Sequence, residues 1–197
     1  PLDLAISEQH YGLVTKLREM GASTEDIWYG PIHVALARKN FLKAQVLAME
    51  PETAIDAIDS EGRTALHAAA AWGAVDVVEA LVERGACVDG REWLYGATAL
   101  HLAVLLYQTD TVMRLLALGA DPLLADSRGV RPIDVAQHTE QPEIVALFPD
   151  EATRGDQHTS ASLIELQNLE ILLQDVRERY MRMLDGLYWE QGGTQTR

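Results

Sequence analysis

Cysteine and long apolar runs are scarce in this chain of 197 residues, and each scarcity excludes a class of protein. The single cysteine, Cys87, rules out a disulfide framework and argues against a metal site built on cysteines. No apolar run approaches the roughly 18 residues of a membrane span, and no basic-then-apolar start resembles a signal peptide. We therefore expect no membrane and a cytoplasmic location. Because the first residue is Pro1 rather than methionine, we also expect the natural N-terminus to lie further upstream.

Basic residues are also few, since 16 Lys and Arg stand against 30 Asp and Glu, for a formal net charge of −14 at pH 7. This balance excludes nucleic acid as a partner, because affinity for phosphates requires clustered Lys and Arg. An acidic surface favours a basic protein partner and speeds their encounter. The alternative is that the charge serves only solubility.

A self-similar segment occupies the middle of the chain. Residues 64–67 (Thr-Ala-Leu-His) recur as residues 98–101, and the pair Gly85-Ala86 recurs as Gly119-Ala120 at the same interval of 34 residues. Weaker copies of the same frame begin at residues 1, 31 and 129. Five units therefore cover residues 1–148, which predicts a repeat architecture.

Each residue type in the unit has a mechanical reason. A threonine can cap the first short helix, and a glycine can end the second helix in the left-handed conformation. Leucine and isoleucine then point into the stack, and alanine lets neighbouring helices approach closely. These apolar positions are Ile32, Leu66, Leu100 and Ile133, with Ala35, Ala69, Ala103 and Ala136. No unit can bury its apolar face alone, so the units must stack.

These motifs resemble the ankyrin-repeat family, whose signature is Thr-Pro-Leu-His-x-Ala at a period of about 33 residues. The resemblance implies an all-α solenoid of helix-turn-helix units with short hairpin loops. We place the five units at residues 1–26, 27–58, 59–92, 93–125 and 126–148. Units three and four match best, while units one and two are degenerate. Unit two has Pro51-Glu52 where the Gly-Ala pair is expected.

The histidines that recur at the repeat period could be interpreted as metal ligands, but the resemblance implies a structural role. In the family this histidine lies inside the stack and hydrogen-bonds between neighbouring units. The residues expected to be structural are His33, His67, His101, Thr64, Thr98, Gly85 and Gly119. We therefore expect no metal and no cofactor.

The last 49 residues, 149–197, form an appendage to the repeats. Residues 149–161 read as a linker, residues 162–190 as one long amphipathic C-terminal helix, and residues 191–197 as a disordered tail. Three arrangements stay open for the helix: docking on its own repeats, a coiled-coil homodimer, or order only with a partner. Its wide apolar stripe favours docking and hence a monomer. The helix would then pack on a strip of apolar and aromatic residues in the groove of the repeats.

Candidate partner-binding residues are large side chains at positions that the stack does not require. By the resemblance, hairpin tips and the exposed side of each first helix face a concave groove. Trp93 stands where the family has the aspartate that Asp59 and Asp126 retain. The candidates form a predicted strip across units two to four: Ile27, Trp28, Tyr29, Arg38, Trp72, Trp93, Leu94, Tyr95, Leu105 and Leu106. Such patches mark interaction sites, and Trp and Tyr are favoured there. The alternative is that the chain itself covers them.

The function indicated is therefore that of a non-enzymatic binding protein. No Gly-rich phosphate loop, paired acid and base, or Ser/His/Asp spacing appears. The acidic charge and an arginine-over-lysine bias typical of bacterial genomes suggest, by analogy, an inhibitor or immunity protein that neutralises a basic partner. Two alternatives are a scaffold or targeting module of a larger effector protein, and a structural protein that self-assembles through residues 162–190.

Overall fold

The computed structural model describes residues 30–59 and 62–149, which form four pairs of short helices joined by tight turns. Their bounds are α1 Pro31–Ala37, α2 Phe41–Met49, α3 Ala65–Trp72, α4 Val75–Glu83, α5 Ala99–Leu105, α6 Thr109–Ala117, α7 Pro132–His138 and α8 Pro142–Val145. First helices stack on first helices, and second helices on second helices. This arrangement confirms the all-α repeat solenoid within the described residues. Predicted unit one, Ile27 to Tyr29, most of the linker, the C-terminal helix and the tail lie outside them.

The core lies where the repeated pattern predicts it. The four aliphatic and four alanine positions of the first helices are all buried. Val78 and Leu81 of α4 and their equivalents in α6, Val112 and Leu115, are fully buried as well. Alanine at the crossing points leaves little more than the backbone between units, so the helices approach closely enough to exclude water. Stability therefore comes from contacts between units rather than within them.

The ends of the second helices differ between units. Gly85 and Gly119 follow α4 and α6 with φ of +94° and +91°, a conformation that glycine adopts without steric cost. Unit two lacks a glycine at the end of its second helix, and Arg84 of unit three stabilises that helix end instead. The Arg84 guanidinium donates to the carbonyl oxygens of Ala48 at 3.1 Å and Pro51 at 3.2 Å. A cation suits the carbonyl end of a helix, so a neighbouring unit stabilises the degenerate one.

Turns within each helix pair also tie neighbouring units together. Gln108 and Gln141 occupy equivalent positions just before α6 and α8. The Gln108 side-chain amide donates to the carbonyl oxygen of Ala71 at 3.4 Å, and that of Gln141 donates to Val104 at 3.2 Å. Each glutamine thereby adds a side-chain donor to a carbonyl in the last turn of the preceding first helix, where the regular helical hydrogen bonds end.

Candidate functional site

The three recurrent histidines lie inside the stack, and each reaches the following unit. Nε2 of His33, His67 and His101 lies 3.1, 3.2 and 3.0 Å from the carbonyl oxygens of Arg63, Ala97 and Val130, respectively. Nδ1 of His67 accepts the backbone N–H of Thr64 at 3.1 Å, and Nδ1 of His101 accepts that of Thr98 at 3.1 Å. Because Nδ1 accepts, Nε2 carries the hydrogen and donates it.

This bonding leaves His67 and His101 without a ring nitrogen for a metal ion or a substrate proton. Burial also lowers the pKa of His67 to about 4, because desolvation of the charged ring outweighs its hydrogen bond to Ala97. Desolvation likewise lowers the pKa of His33 and His101. Within residues 30–59 and 62–149, no group of three or more His, Cys, Asp or Glu residues is placed to hold a metal ion.

The lowered pKa of His67 predicts a loss of stability in acid. Between pH 6.5 and about 4 the unfolded chain binds a proton at His67 that the folded chain does not, so the unfolding free energy decreases as the pH is lowered across this window. We expect His67→Gln to cost about 1–3 kcal/mol near neutral pH through lost hydrogen bonds. The difference from wild type should shrink by up to about 3 kcal/mol as pH falls to 4.

Urea unfolding of both proteins across this pH range measures the difference directly. Taking the difference removes the titration of the many carboxylates, which both proteins share. Parallel pH profiles for wild type and His67→Gln would show that His67 titrates alike in the folded and unfolded chains.

The hairpin tip before unit four is organised by Glu92. Its buried carboxylate accepts three backbone N–H groups, from Leu94 at 2.6 Å, Tyr95 at 2.7 Å and Ala97 at 3.1 Å. The Glu92 backbone N–H also donates to the Ala97 carbonyl at 2.9 Å, which closes the loop. Three charge-assisted bonds within one loop hold its backbone in a single conformation.

Glu92 therefore occupies the position of the family aspartate. The prediction that Trp93 occupies this position is wrong. Asp126 makes the equivalent bonds, accepting the N–H groups of Arg128 and Val130 at 2.9 and 3.0 Å. The tip glycine follows Asp59 and Asp126 by three residues but follows Glu92 by four. One extra residue lengthens the loop, and the additional methylene of glutamate spans it. Counting back three residues from Gly96 gives Trp93, whereas taking the nearest acidic residue before that glycine would have found Glu92 in the sequence.

Neighbouring tips stack on one another through the aromatic residues. The Trp93 indole lies over Gly62 of the preceding tip so closely that a Cβ added to Gly62 would be 2.0 Å from the indole Cγ. On the other side, the Tyr95 carbonyl accepts the Ser127 N–H at 2.8 Å, and the Arg128 guanidinium lies 4.8 Å from the Tyr95 ring centre. Trp93 and Tyr95 are half-buried as a result, so part of each ring packs between units.

Leu94, between the two aromatic residues, keeps 45% of its surface exposed. The tip also carries the exposed guanidinium groups of Arg91 and Arg128, whereas the tip acids Asp59, Glu92 and Asp126 are all buried. We define the tip patch as Arg91, Trp93, Leu94, Tyr95 and Arg128. It offers an exposed aliphatic side chain and two aromatic faces on a loop held by Glu92, together with the guanidinium groups of Arg91 and, from the next tip, Arg128.

The remaining candidates lie at the opposite ends of the first helices. Lys39 Nζ lies 5.2 Å from the centre of the Trp72 ring, at the turn that follows α1 and the end of α3. Leu106 is half-buried and Arg38 lies on the exposed end of α1. First helices of 7 or 8 residues separate these residues from the tip patch by about 10–12 Å. Within the described residues the candidates therefore lie in two groups along the first helices, and a single continuous strip stays a prediction.

Leu105 is a further correction, because the structure buries it to 5% exposure. It is the last residue of α5, where its side chain joins the hydrophobic core rather than the groove surface. The sequence contains two adjacent leucines at this point, and only packing decides which of them points inward.

Comparisons with known proteins agree with this architecture. The family model for three copies of the ankyrin repeat matches residues 2–92, and the single ankyrin-repeat model matches residues 95–127. A Danio rerio protein named as a palmitoyltransferase, ZDHHC13, is 28% identical over 181 residues. The match covers 89% of this chain and 28% of the length of the Danio rerio protein. The mouse ankyrin repeat and SAM domain-containing protein 6 is 30% identical over 118 residues. The match covers 60% of this chain and 13% of the length of the mouse protein.

A rice protein, zinc finger CCCH domain-containing protein 50, is 46% identical over 80 residues, which is 38% of this chain and 12% of that protein. The chain thus spans less than a third of the length of each of these relatives. None of the helices in the described part of the chain is long and apolar enough to cross a membrane.

Proposed function

Because this chain belongs to the ankyrin-repeat family, we propose that it binds a basic protein partner and neutralises or regulates it. Ankyrin repeats make the chain a protein–protein interaction module. The observation that supports a specific site is the tip patch, where Leu94 stands exposed between two half-buried aromatic residues. Since Glu92 already orders this loop, little conformational entropy is lost when a partner binds.

The charge distribution supports a basic partner. The chain carries a net charge of −14, and exposed carboxylates on the second helices contribute to it, including Asp76, Glu83, Asp110 and Glu143. Such a field raises the encounter rate with a cationic protein. In the tip patch Arg128 is paired with Asp126, so Arg91 is the guanidinium that would repel a cation there, against a net charge of −14 for the whole chain. An inhibitor-like or immunity-like role in the cytoplasm fits both features.

A pair of matched substitutions tests the tip patch. Leu94→Asp places a charge at the centre of the patch, whereas Leu123→Asp alters a leucine of similar exposure, 49%, in the loop after α6. Wild-type chain and both variants are immobilised, and proteins captured from the native cell extract are quantified by mass spectrometry. We expect a partner of basic isoelectric point that wild type and Leu123→Asp retain and Leu94→Asp loses. Equal capture by all three proteins would exclude the tip patch.

Salt tests the charge separately. If the negative field steers the partner, its association rate should fall as salt rises, since screening acts over about 8 Å at physiological ionic strength. The dissociation rate, which short-range apolar contacts govern, should change less. An association rate independent of salt would leave the acidity as a solubility feature.

A second candidate function is that of a scaffold or targeting module within a larger protein. It is favoured by the length of the relatives, of which this chain matches between 12% and 28%. A transcript that joins this sequence to a further domain, together with loss of that protein's localisation when the repeats are deleted, would support it.

A further inference from the structure

Helix α2 carries large apolar side chains on its solvent side. Leu42 is 73% exposed and Met49 is 64% exposed, and Val46 between them is exposed as well. The spacing of four and three residues places the three side chains on one face of the helix. Ala44 and Ala48 bury the opposite face against the stack. α2 is therefore apolar on both sides, although only one side contributes to the described core.

The repeat itself shows that two of these positions face solvent. Leu42 is equivalent to Asp76 and Asp110, and Met49 is equivalent to Glu83 and Ala117, by the period of 34 residues. All four of these equivalents are exposed, although α4 and α6 have second helices packed on both of their sides. A unit preceding α2 in the same register would therefore leave Leu42 and Met49 exposed, whereas Val46, equivalent to the buried Ala80 and the half-buried Arg114, would be partly covered.

Acidic side chains lie beside this apolar face. α2 packs against α4, at a typical interaxial distance of about 8–10 Å. On α4, Asp76 and Glu83 occupy the same register as Leu42 and Met49 and are exposed. An apolar row about 10 Å long, as set by the seven-residue spacing on α2, is thus flanked by a parallel acidic row. We define the outer patch as Leu42, Val46, Met49, Asp76 and Glu83.

We propose that the outer patch binds an amphipathic helix of a partner protein, whose apolar stripe covers α2 and whose Lys and Arg side chains pair with α4. A helix with apolar residues at three- and four-residue spacing presents a row of the same length, and its flanking cations reach the acidic row. Exposed apolar patches of a few hundred Å² on a soluble surface commonly mark such sites. This inference rests on the proposed function in taking the partner to be basic, and it adds a second surface remote from the tip patch.

A synthetic peptide tests the proposal on the full chain. The peptide is a fluorescein-labelled helix of about 18 residues, with leucines at three- and four-residue spacing and lysines at the remaining positions. A matched peptide has glutamate in place of each lysine. We expect fluorescence anisotropy to show binding of the lysine peptide and none of the glutamate peptide.

The decisive variant is Leu42→Asp with Met49→Glu, which installs the side chains that unit three already carries at these positions. The fold should tolerate it, and an unchanged thermal midpoint checks this. We expect its affinity for the lysine peptide to fall about tenfold or more, because apolar contacts are lost although negative charge is added. Leu94→Asp serves as the control and should bind the peptide as wild type does.

Three results would overturn the proposal. They are undiminished binding by the double variant, equal binding of both peptides, and a wild-type dimer that the double variant converts to monomer, which would make a second copy the occupant. The assay does not involve the tip patch. Failure of Leu94→Asp to reduce partner capture would therefore count against the proposed site and leave this test unaffected.

Discussion

The Glu92→Ala variant is expected to lose about 3–5 kcal/mol of unfolding free energy, a large fraction of the stability of a domain this size. The substitution removes the acceptor for the backbone N–H groups of Leu94, Tyr95 and Ala97 together. Each of these bonds is charge-assisted, and the carboxylate is buried, so water cannot fully replace it. Urea unfolding followed by far-ultraviolet circular dichroism measures the change.

Three further variants separate the role of Glu92 from that of glutamates in general. Glu143→Ala, at an exposed position on α8, should change stability by no more than about 0.5 kcal/mol. Glu92→Asp should be destabilised because the shorter side chain cannot span the longer loop. Glu92→Asp combined with deletion of the exposed Leu94 restores the spacing found after Asp59 and Asp126 and keeps both packed aromatic residues, so it should be more stable than Glu92→Asp alone. If the deletion lowers stability further, loop length is not what selects glutamate.

The second large effect is expected at the buried ion pair of the tip before unit three. Arg63 Nε lies 2.6 Å from Asp59 Oδ2, with both side chains 1% exposed, and Asp59 Oδ1 accepts the Arg63 backbone N–H at 3.0 Å. Asp59→Ala removes the carboxylate and leaves a buried guanidinium without this counter-charge. We expect a loss of about 3–5 kcal/mol, because removing one member of a buried pair leaves the other charge buried without its carboxylate counter-charge.

The double variant Asp59→Ala/Arg63→Met supplies the control for this prediction. Methionine fills much of the volume of arginine without its charge, so the double variant should recover a substantial part of the lost stability. Thermal unfolding of the wild type, both single variants and the double variant completes a mutant cycle. Additive losses in that cycle would show that the pair contributes no coupling, contrary to the expectation.

The sequence by itself determined the architecture of the repeats. The recurrence of Leu66 and Ala69 as Leu100 and Ala103 placed the core correctly, because these positions interact with their own counterparts in the next unit. Any side chain that works in one copy must also fit in the next, so the pattern repeats visibly along the chain. The helix-ending role of the glycines after α4 and α6 was also predictable from the sequence, because a left-handed helix end is a local requirement of the backbone.

The tertiary structure alone decided which side chains form the surface. The extra residue in the tip loop moved the organising carboxylate to Glu92 and freed Trp93 to pack on Gly62 of another unit. Packing buried Leu105 but left Leu106 half-exposed, although the two leucines are adjacent in the sequence. These outcomes depend on non-identical residues of different units meeting in space. The repeat period cannot predict such contacts, because each of them occurs only once in the chain.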